Sequence, residues 1–167
     1  MTTLHGYLVD LVPFEREDFT KKMHEYWNNE SKMWATMGDN EPTSMGQIKR
    51  ISEERAQGAE RGYTGVHFML RARDGNIIGS IGLNWVDYWH RSAWLGSWIG
   101  EPDYWSGGHG TDALLLLVDY AFNWLDMRRL VLETLSVNER AKRNVERCGF
   151  VLESTPRKMS WFQGEWL

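Results

Sequence analysis

The chain has 167 residues, 42% hydrophobic and 25% charged, with a formal net charge of −4, a composition that suits one globular domain large enough to bury a core. Its lysines and arginines are scattered rather than blocked, so it offers no cationic field to a phosphate backbone or an anionic lipid surface, and nucleic-acid and membrane partners are disfavoured. No stretch approaches the roughly 18 apolar residues of a membrane span, the amino terminus lacks a basic start followed by an apolar run, and Cys148 is the only cysteine; the expectation is a cytoplasmic protein with neither an internal disulfide nor a metal centre.

Leu8, Leu11 and Val12, within Leu4 to Phe14, predict a first strand closed by Pro13. Phe19, Met23 and Trp27 recur every fourth residue, which predicts a helix over Glu15 to Trp27. A polar link from Met37 to Thr43 leads to a second helix over Ser44 to Arg61, with Ser44 as its cap and Gly62 as its stop. Val66, Phe68 and Leu70 alternate with His67, Met69 and Arg71, and Asp74-Gly75 turns the chain into Ile77 to Leu83, a hairpin. After a turn near Tyr88 to Ser92, Ala93 to Gly100 is the third strand of this meander. The chain has ten tryptophans, and five of them, Trp85, Trp89, Trp94, Trp98 and Trp105, fall in this middle segment; that exceeds the needs of a small core and points to a binding surface.

Gly107-Gly108-His109-Gly110 then opens directly into an apolar helix that begins at Thr111. Arg129 to Val137 reads as a strand, Asn138 caps a short helix that ends at Cys148 before Gly149, Phe150 to Leu152 begins a further strand, and Met159 to Leu167 begins its partner. The order β-α-α-β-β-β-α-β-α-β describes an α+β sheet with helices packed on its faces.

A strand that ends in glycines at a helix start exposes backbone N–H groups with no internal partner, at the positive end of the helix dipole. The loop Trp105-Ser106-Gly107-Gly108-His109-Gly110-Thr111 lets a phosphate approach the backbone, so a pyrophosphate is its natural ligand, against the alternative of a tight turn with no ligand. Thr111 follows Gly110 with no lysine between them, which does not fit a P-loop, and the glycine spacing and position do not fit a Rossmann fingerprint.

The stretch from Trp98 to Ala113 closely resembles the acetyl-CoA signature of the GNAT acetyltransferases, Q/R-x-x-G-x-G/A, which falls on Trp105 to Gly110; Asn138-Glu-Arg-Ala-Lys-Arg-Asn-Val-Glu-Arg-Cys-Gly-Phe150 resembles the family's second signature. The tryptophan at the Q/R position is similar to the branch of ribosomal-protein N-terminal acetyltransferases. The resemblance implies the GNAT acyl-CoA N-acyltransferase fold, a mixed, mostly antiparallel sheet with helices on both faces, in one domain over residues 1–167. It implies acetyl-CoA as the cofactor, with Trp98, Ile99 and Gly100 beside the pantetheine arm and Ser106, Gly107, Gly108, His109, Gly110 and Thr111 around the pyrophosphate. Asn138 then touches the cofactor, and Arg143 and Arg147 supply charge for the phosphates, unless they are solvated surface.

Acetyl transfer needs a neutral amine, a polarised thioester carbonyl and a proton for the leaving thiolate. Glu133 matches the glutamate base of one N-terminal acetyltransferase branch, with an alternating surface carboxylate as the competing reading. His90 and Asp87 are candidates on the acceptor side. The positions where relatives carry a tyrosine or serine acid hold Val145 and Ala141, which leaves Tyr104, Ser136 or a water for that role, or a thiol that leaves without a dedicated acid. A backbone N–H of the strand from Trp94 to Gly100 suffices to polarise the carbonyl.

Relatives carry one more strand than this sequence shows, so either the sequence is shortened or the sheet is completed differently, and a homodimer is the expected way to complete it. The acceptor is a primary amine, on a peptide N-terminus or a small molecule, and the acidic balance and aromatic surface suit a cation. A catalytically silent acyl-CoA sensor is the rival expectation.

Overall fold

The computed structural model describes residues 3–27, 43–60, 65–162 and 164–167. In chain order its elements are β1 (Leu4–His5), β2 (Val9–Pro13), α1 (Arg16–Trp27), α2 (Met45–Glu60), β3 (His67–Ala72), β4 (Ile77–Asp87), β5 (Ser92–Ile99), a 3-10 turn (Pro102–Tyr104), α3 (His109–Asn123), β6 (Arg129–Val131), α4 (Glu139–Arg147), β7 (Trp161–Phe162) and β8 (Glu165–Trp166). The first six strands form one sheet in the order β1-β2-β3-β4-β5-β6, antiparallel throughout except for the parallel pair β5–β6. That is the expected α+β, mostly antiparallel sheet.

Strand periodicity divides the core between the two faces of this sheet. Phe68 and Leu70 of β3 join Val9 and Leu11 of β2, Ile81 and Leu83 of β4, and Ala93 and Leu95 of β5 in one cluster with Ala113, Leu114, Leu117 and Ala121 of α3. Met69, between Phe68 and Leu70, turns to the other face and packs with Phe19, Met23 and Tyr26 of α1 and Ile48 of α2, against which Trp98 also lies. Each fully buried Leu or Phe in these clusters contributes about 1.5–3 kcal/mol by leaving water. The polar groups between α1 and α2 are paired, with the buried Thr20 hydroxyl donating to Ser52 Oγ at 3.0 Å.

Local signals place the ends of several elements. Ser44 and Gln47 cap α2 reciprocally, Gln47 N donating to Ser44 Oγ at 3.2 Å and Ser44 N to Gln47 Oε1 at 2.8 Å. Asn138 Oδ1 accepts from Ala141 N at 3.1 Å at the start of α4, and Gly149, with φ +88°, ends that helix.

Several boundaries differ from the sequence reading. The strand expected over Leu4 to Phe14 is two strands, because the chain bends at Gly6, whose N–H donates to Val9 O at 2.9 Å. The Asp112 carboxylate of α3 holds this bend by accepting from Leu8 N at 2.7 Å and Val9 N at 3.0 Å. The strand expected over Arg129 to Val137 stops at Val131. Phe150 to Leu152 forms no strand, and Met159 to Leu167 closes on itself as the β7–β8 hairpin, with Met159 N donating to Leu167 O at 2.8 Å. Most of the polar link before Thr43 and the stop at Gly62 lie outside the described residues.

Candidate functional site

The site begins where the parallel pair separates. Strands β5 and β6 are in register only at Ser92–Arg129, Ala93–Leu130 and Trp94–Val131; β5 then continues to Ile99 without its neighbour. On its other edge β5 stays paired with β4 up to Ile99, and Gly100 N donates to Ile78 O at 3.0 Å. Main-chain groups alternate between the two edges, so Gly100, Trp98 and Gly96 turn theirs to β4, and Ser97 and Ile99 turn theirs into the gap. Ile99 O accepts there from Trp105 Nε1 at 2.8 Å. What remains is a short edge of amides with no ladder partner, suited to an extended, amide-containing arm. Of the three residues expected beside such an arm, Ile99 presents main chain to the gap. Trp98 and Gly100 turn their main-chain groups to β4, and the Trp98 ring packs against Tyr26, 5.4 Å between centroids, on the α1 face.

Just beyond the gap lies the glycine loop. Ser106 (φ +61°) and Gly108 (φ +92°) both take left-handed backbone, which wraps the loop tightly into α3. Gly108 is the N-cap without a side-chain hydrogen bond, and the first helical bond there is Asp112 N to Gly108 O at 2.9 Å. The N–H groups of His109, Gly110 and Thr111 therefore precede the α3 ladder, at its positive end. The carboxylate of Asp112 does not cap them, because it faces the β1–β2 bend. His109 packs edge-on to Tyr104 at 5.2 Å, and its buried Nδ1 has no hydrogen-bond partner among the described residues.

Helix α4 closes this loop from the opposite side. Residues 140, 144 and 148 share one helix face: Arg140 lies over the Trp105 ring, 3.7 Å from Cζ to the centroid; Asn144 Oδ1 accepts from Thr111 Oγ1 at 2.6 Å; Cys148 Sγ approaches Thr111 O at 3.9 Å. A Cβ added at Gly110 would sit 3.3 Å from Asn144 Nδ2, so the glycine permits this close approach. Asn138 spends its Oδ1 on the helix cap and keeps its amide N–H groups as donors.

The remaining expected residues are not all brought together. Tyr104 Oη donates to Asp74 Oδ2 at 2.5 Å and accepts from Asn76 Nδ2 at 3.0 Å; the Asp74 carboxylate holds the phenol above its ordinary range. Glu133 follows β6 in irregular chain, exposed, with no hydrogen bond to the other described residues. Asp87 accepts from His90 N at 2.9 Å and pairs with His90 Nδ1 at 2.7 Å, and these bonds lower its pKa; the pair closes the exposed β4–β5 turn. Arg143 is exposed and donates from Nε to Glu139 O at 3.2 Å. The five central tryptophans split: Trp85 and Trp89 are 74% and 89% exposed, Trp94 packs edge-on to Trp85 at 5.8 Å, and Trp98 and Trp105 serve the core and the loop.

Sequence reasoning missed two groups. One is Arg140, inside the second signature but overlooked beside Arg143; the i, i+4 spacing to Asn144 was its signal. The other joins α1 to the end of β5, where Tyr26 Oη donates to Glu101 Oε1 at 2.5 Å and Lys22 Nζ lies 3.0 Å from the same oxygen. The Tyr26 hydroxyl, then Lys22, lower the Glu101 pKa, and burial followed by Glu101 itself raises that of Tyr26. No local pattern announces a contact across 75 residues.

Known proteins share this architecture. A spermidine N-acetyltransferase from Vibrio cholerae, solved with CoA and spermine, superposes with a TM-score of 0.81 at 23% identity, over 95% of this chain and 90% of that one. A RimL ribosomal L7/L12 alpha-N-protein acetyltransferase solved with coenzyme A gives 0.82 at 18% identity, over 99% and 93% of the two chains; at such identities the likeness is one of fold. In sequence, YdaF of Bacillus subtilis strain 168, described as a candidate ribosomal N-acetyltransferase, is 32% identical over 91 residues, which are 54% of this chain and 49% of YdaF, so the match spans about half the length of that relative. The model of the acetyltransferase (GNAT) domain matches residues 9–151, which contain both the β5–β6 gap and the glycine loop. The chain belongs to the GNAT acetyltransferase family, whose cosubstrate is acetyl-CoA.

Proposed function

We propose that residues 1–167 are one acetyltransferase domain that moves the acetyl group of acetyl-CoA to a primary amine, on a peptide N-terminus or a small amine, by direct attack within a ternary complex. The observation that carries this reading is the gap between β5 and β6, with the main chain of Ser97 and the N–H of Ile99 left without a ladder partner, opening beside the uncapped amides of the α3 N-terminus. The loop from Ser106 to Thr111 then takes the diphosphate, and the arm lies along β5 with Asn138 donating from the facing helix.

In the reaction the amine nitrogen attacks the thioester carbon, the C–N bond forms and the C–S bond breaks through a tetrahedral intermediate. A β5 N–H on the open edge stabilises the oxyanion. Glu133, directly or through one water, takes the proton that the ammonium loses, and the leaving thiolate takes a proton in turn. Tyr104 fills the acid role only by exchanging Asp74 for the thiolate, since its O–H already donates a hydrogen bond to that carboxylate.

That same bond favours the second reading, a sensor that binds acyl-CoA without turnover. Neighbours in fold are named for spermidine and for ribosomal protein, and both acceptor classes present a cation that suits the exposed aromatic rings near Asp87. The reading extends to a cytoplasmic homodimer. Val151 and Leu152, 81% and 79% exposed and adjacent to the Glu153 that pairs with Arg129 of β6, support a second copy at that edge.

Calorimetric titration with acetyl-CoA, followed by a free-thiol assay against peptides and small amines, tests the proposal. Binding with thiol release on one acceptor supports the enzyme, binding without release the sensor, and absence of binding overturns both.

A further inference from the structure

We propose that the guanidinium of Arg140, laid on the indole of Trp105, is the cationic ligand of the diphosphate of the acyl-CoA substrate. The inference rests on the acetyltransferase reading above and adds to it a residue from the facing helix. Arg140 stands at the first turn of α4, its Cζ 3.7 Å from the centre of the Trp105 ring. Trp105 is itself held, by its Nε1 donating to Ile99 O at 2.8 Å, so the platform stands at the mouth of the β5–β6 gap. One turn further along α4, Asn144 binds Thr111, which brings this helix face against the loop whose amides precede the α3 ladder.

Arg140 is half-buried, and among the described residues no carboxylate lies within ion-pair distance of it; burial without a counter-charge lowers its pKa from the ordinary value. Removing a cation from water is costly unless it is paired, and an aromatic face compensates only in part. An oxyanion is the missing partner. A guanidinium stacked face-on keeps its N–H edge free, and two parallel bonds from that edge match two phosphate oxygens. The other arginines of α4 lack this arrangement: Arg143 and Arg147 are exposed, and Arg143 already donates to Glu139 O.

The test compares wild type with Arg140→Met, which keeps the stem on the indole, and Arg140→Lys, which keeps the charge but loses the fork. Binding is measured for acetyl-CoA, for the acetyl thioester of dephospho-CoA, which lacks only the 3′-phosphate, for S-acetyl-4′-phosphopantetheine, which lacks the adenosine but keeps a phosphate, and for S-acetylpantetheine, which lacks the diphosphate together with the adenosine. Arg140→Met is expected to weaken both diphosphate ligands by about tenfold or more and leave S-acetylpantetheine within about twofold, with Arg140→Lys between. Unchanged affinity for acetyl-CoA in Arg140→Met overturns the proposal. So does a loss confined to acetyl-CoA, which assigns the 3′-phosphate instead, or an equal loss for all four ligands, which marks a structural role. If wild type itself binds no acetyl-CoA, the acetyltransferase reading fails and this inference with it; tight wild-type binding with an indifferent Arg140→Met removes the inference alone.

Discussion

Strand β5 is two strands in one. At Ser92 and Trp94 it is in register with both β4 and β6; from Leu95 to Ile99 it is in register with β4 alone. The residue types in the two halves are similar, SAW against LGSWI, and the sheet face that packs on α3 runs through both, by way of Ala93 and Leu95. The open edge is thus created by the departure of a neighbour rather than by special side chains. A strand built for stability on one edge remains chemically free on the other.

Proline substitutions along β5 break this comparison most directly. Gly96→Pro removes an N–H from the β4 ladder and is expected to cost about 3 kcal/mol or more, read from urea denaturation. Ser97→Pro removes an N–H from the open edge; it is expected to keep most of the stability but to lose acetyl-CoA affinity, and equal destabilisation by the two variants would show the edges to be equivalent. Next in size, Gly108→Glu places a carboxylate and a Cβ at φ +92° beside the loop amides. It is expected to weaken acetyl-CoA binding about 100-fold, checked by calorimetry alongside circular dichroism; a folded variant with undiminished affinity removes the loop from the site. Glu133→Gln is expected to lower kcat by about tenfold to 100-fold while acetyl-CoA affinity holds, and an unchanged kcat returns Glu133 to the solvated strand end.

The smallest effect lies on the paired side of the strand. Tyr26→Phe removes the hydroxyl that donates to Glu101, a loss of about 1–2 kcal/mol at neutral pH. Because this bond and Lys22 depress the Glu101 pKa below its ordinary value of 4.5, the stabilisation is complete above that value and is lost as pH falls through the depressed one. The stability difference between wild type and Tyr26→Phe is therefore expected to shrink between neutral pH and pH values below the ordinary carboxylate range, as read from denaturation midpoints; a difference that does not change with pH would mean that the hydroxyl does not act on the carboxylate's charge.

Much of the site was legible because it is local. The glycine loop, the Asn138 cap and the capping box at Ser44 each depend on residues a few positions apart, and their chemistry is that of one helix terminus. The hairpin around Asp74-Gly75 was legible for the same reason, and so was the acetyl-CoA signature. The strand lengths were not. Apolar residues from Leu130 to Val137 satisfy a strand pattern, yet only Arg129 to Val131 has a partner, and Val151 and Leu152 read as strand but lie exposed in irregular chain. Propensity reports what a segment tolerates, whereas pairing needs a neighbour within reach.

The residues by themselves determined the class of the sheet and the position of the glycine loop at a helix start, because these follow from periodicity and from backbone groups left unpaired at helix ends; the acyl-CoA reading of that loop came from its resemblance to the family signature. Tertiary structure alone decided where β6 leaves β5, that Arg140 lies on Trp105, that Tyr104 donates a hydrogen bond to Asp74, and that Tyr26 holds Glu101. Each joins groups distant in the chain, and the separation of two strands or the burial of a guanidinium depends on the packing of the elements that carry them, which no local pattern encodes.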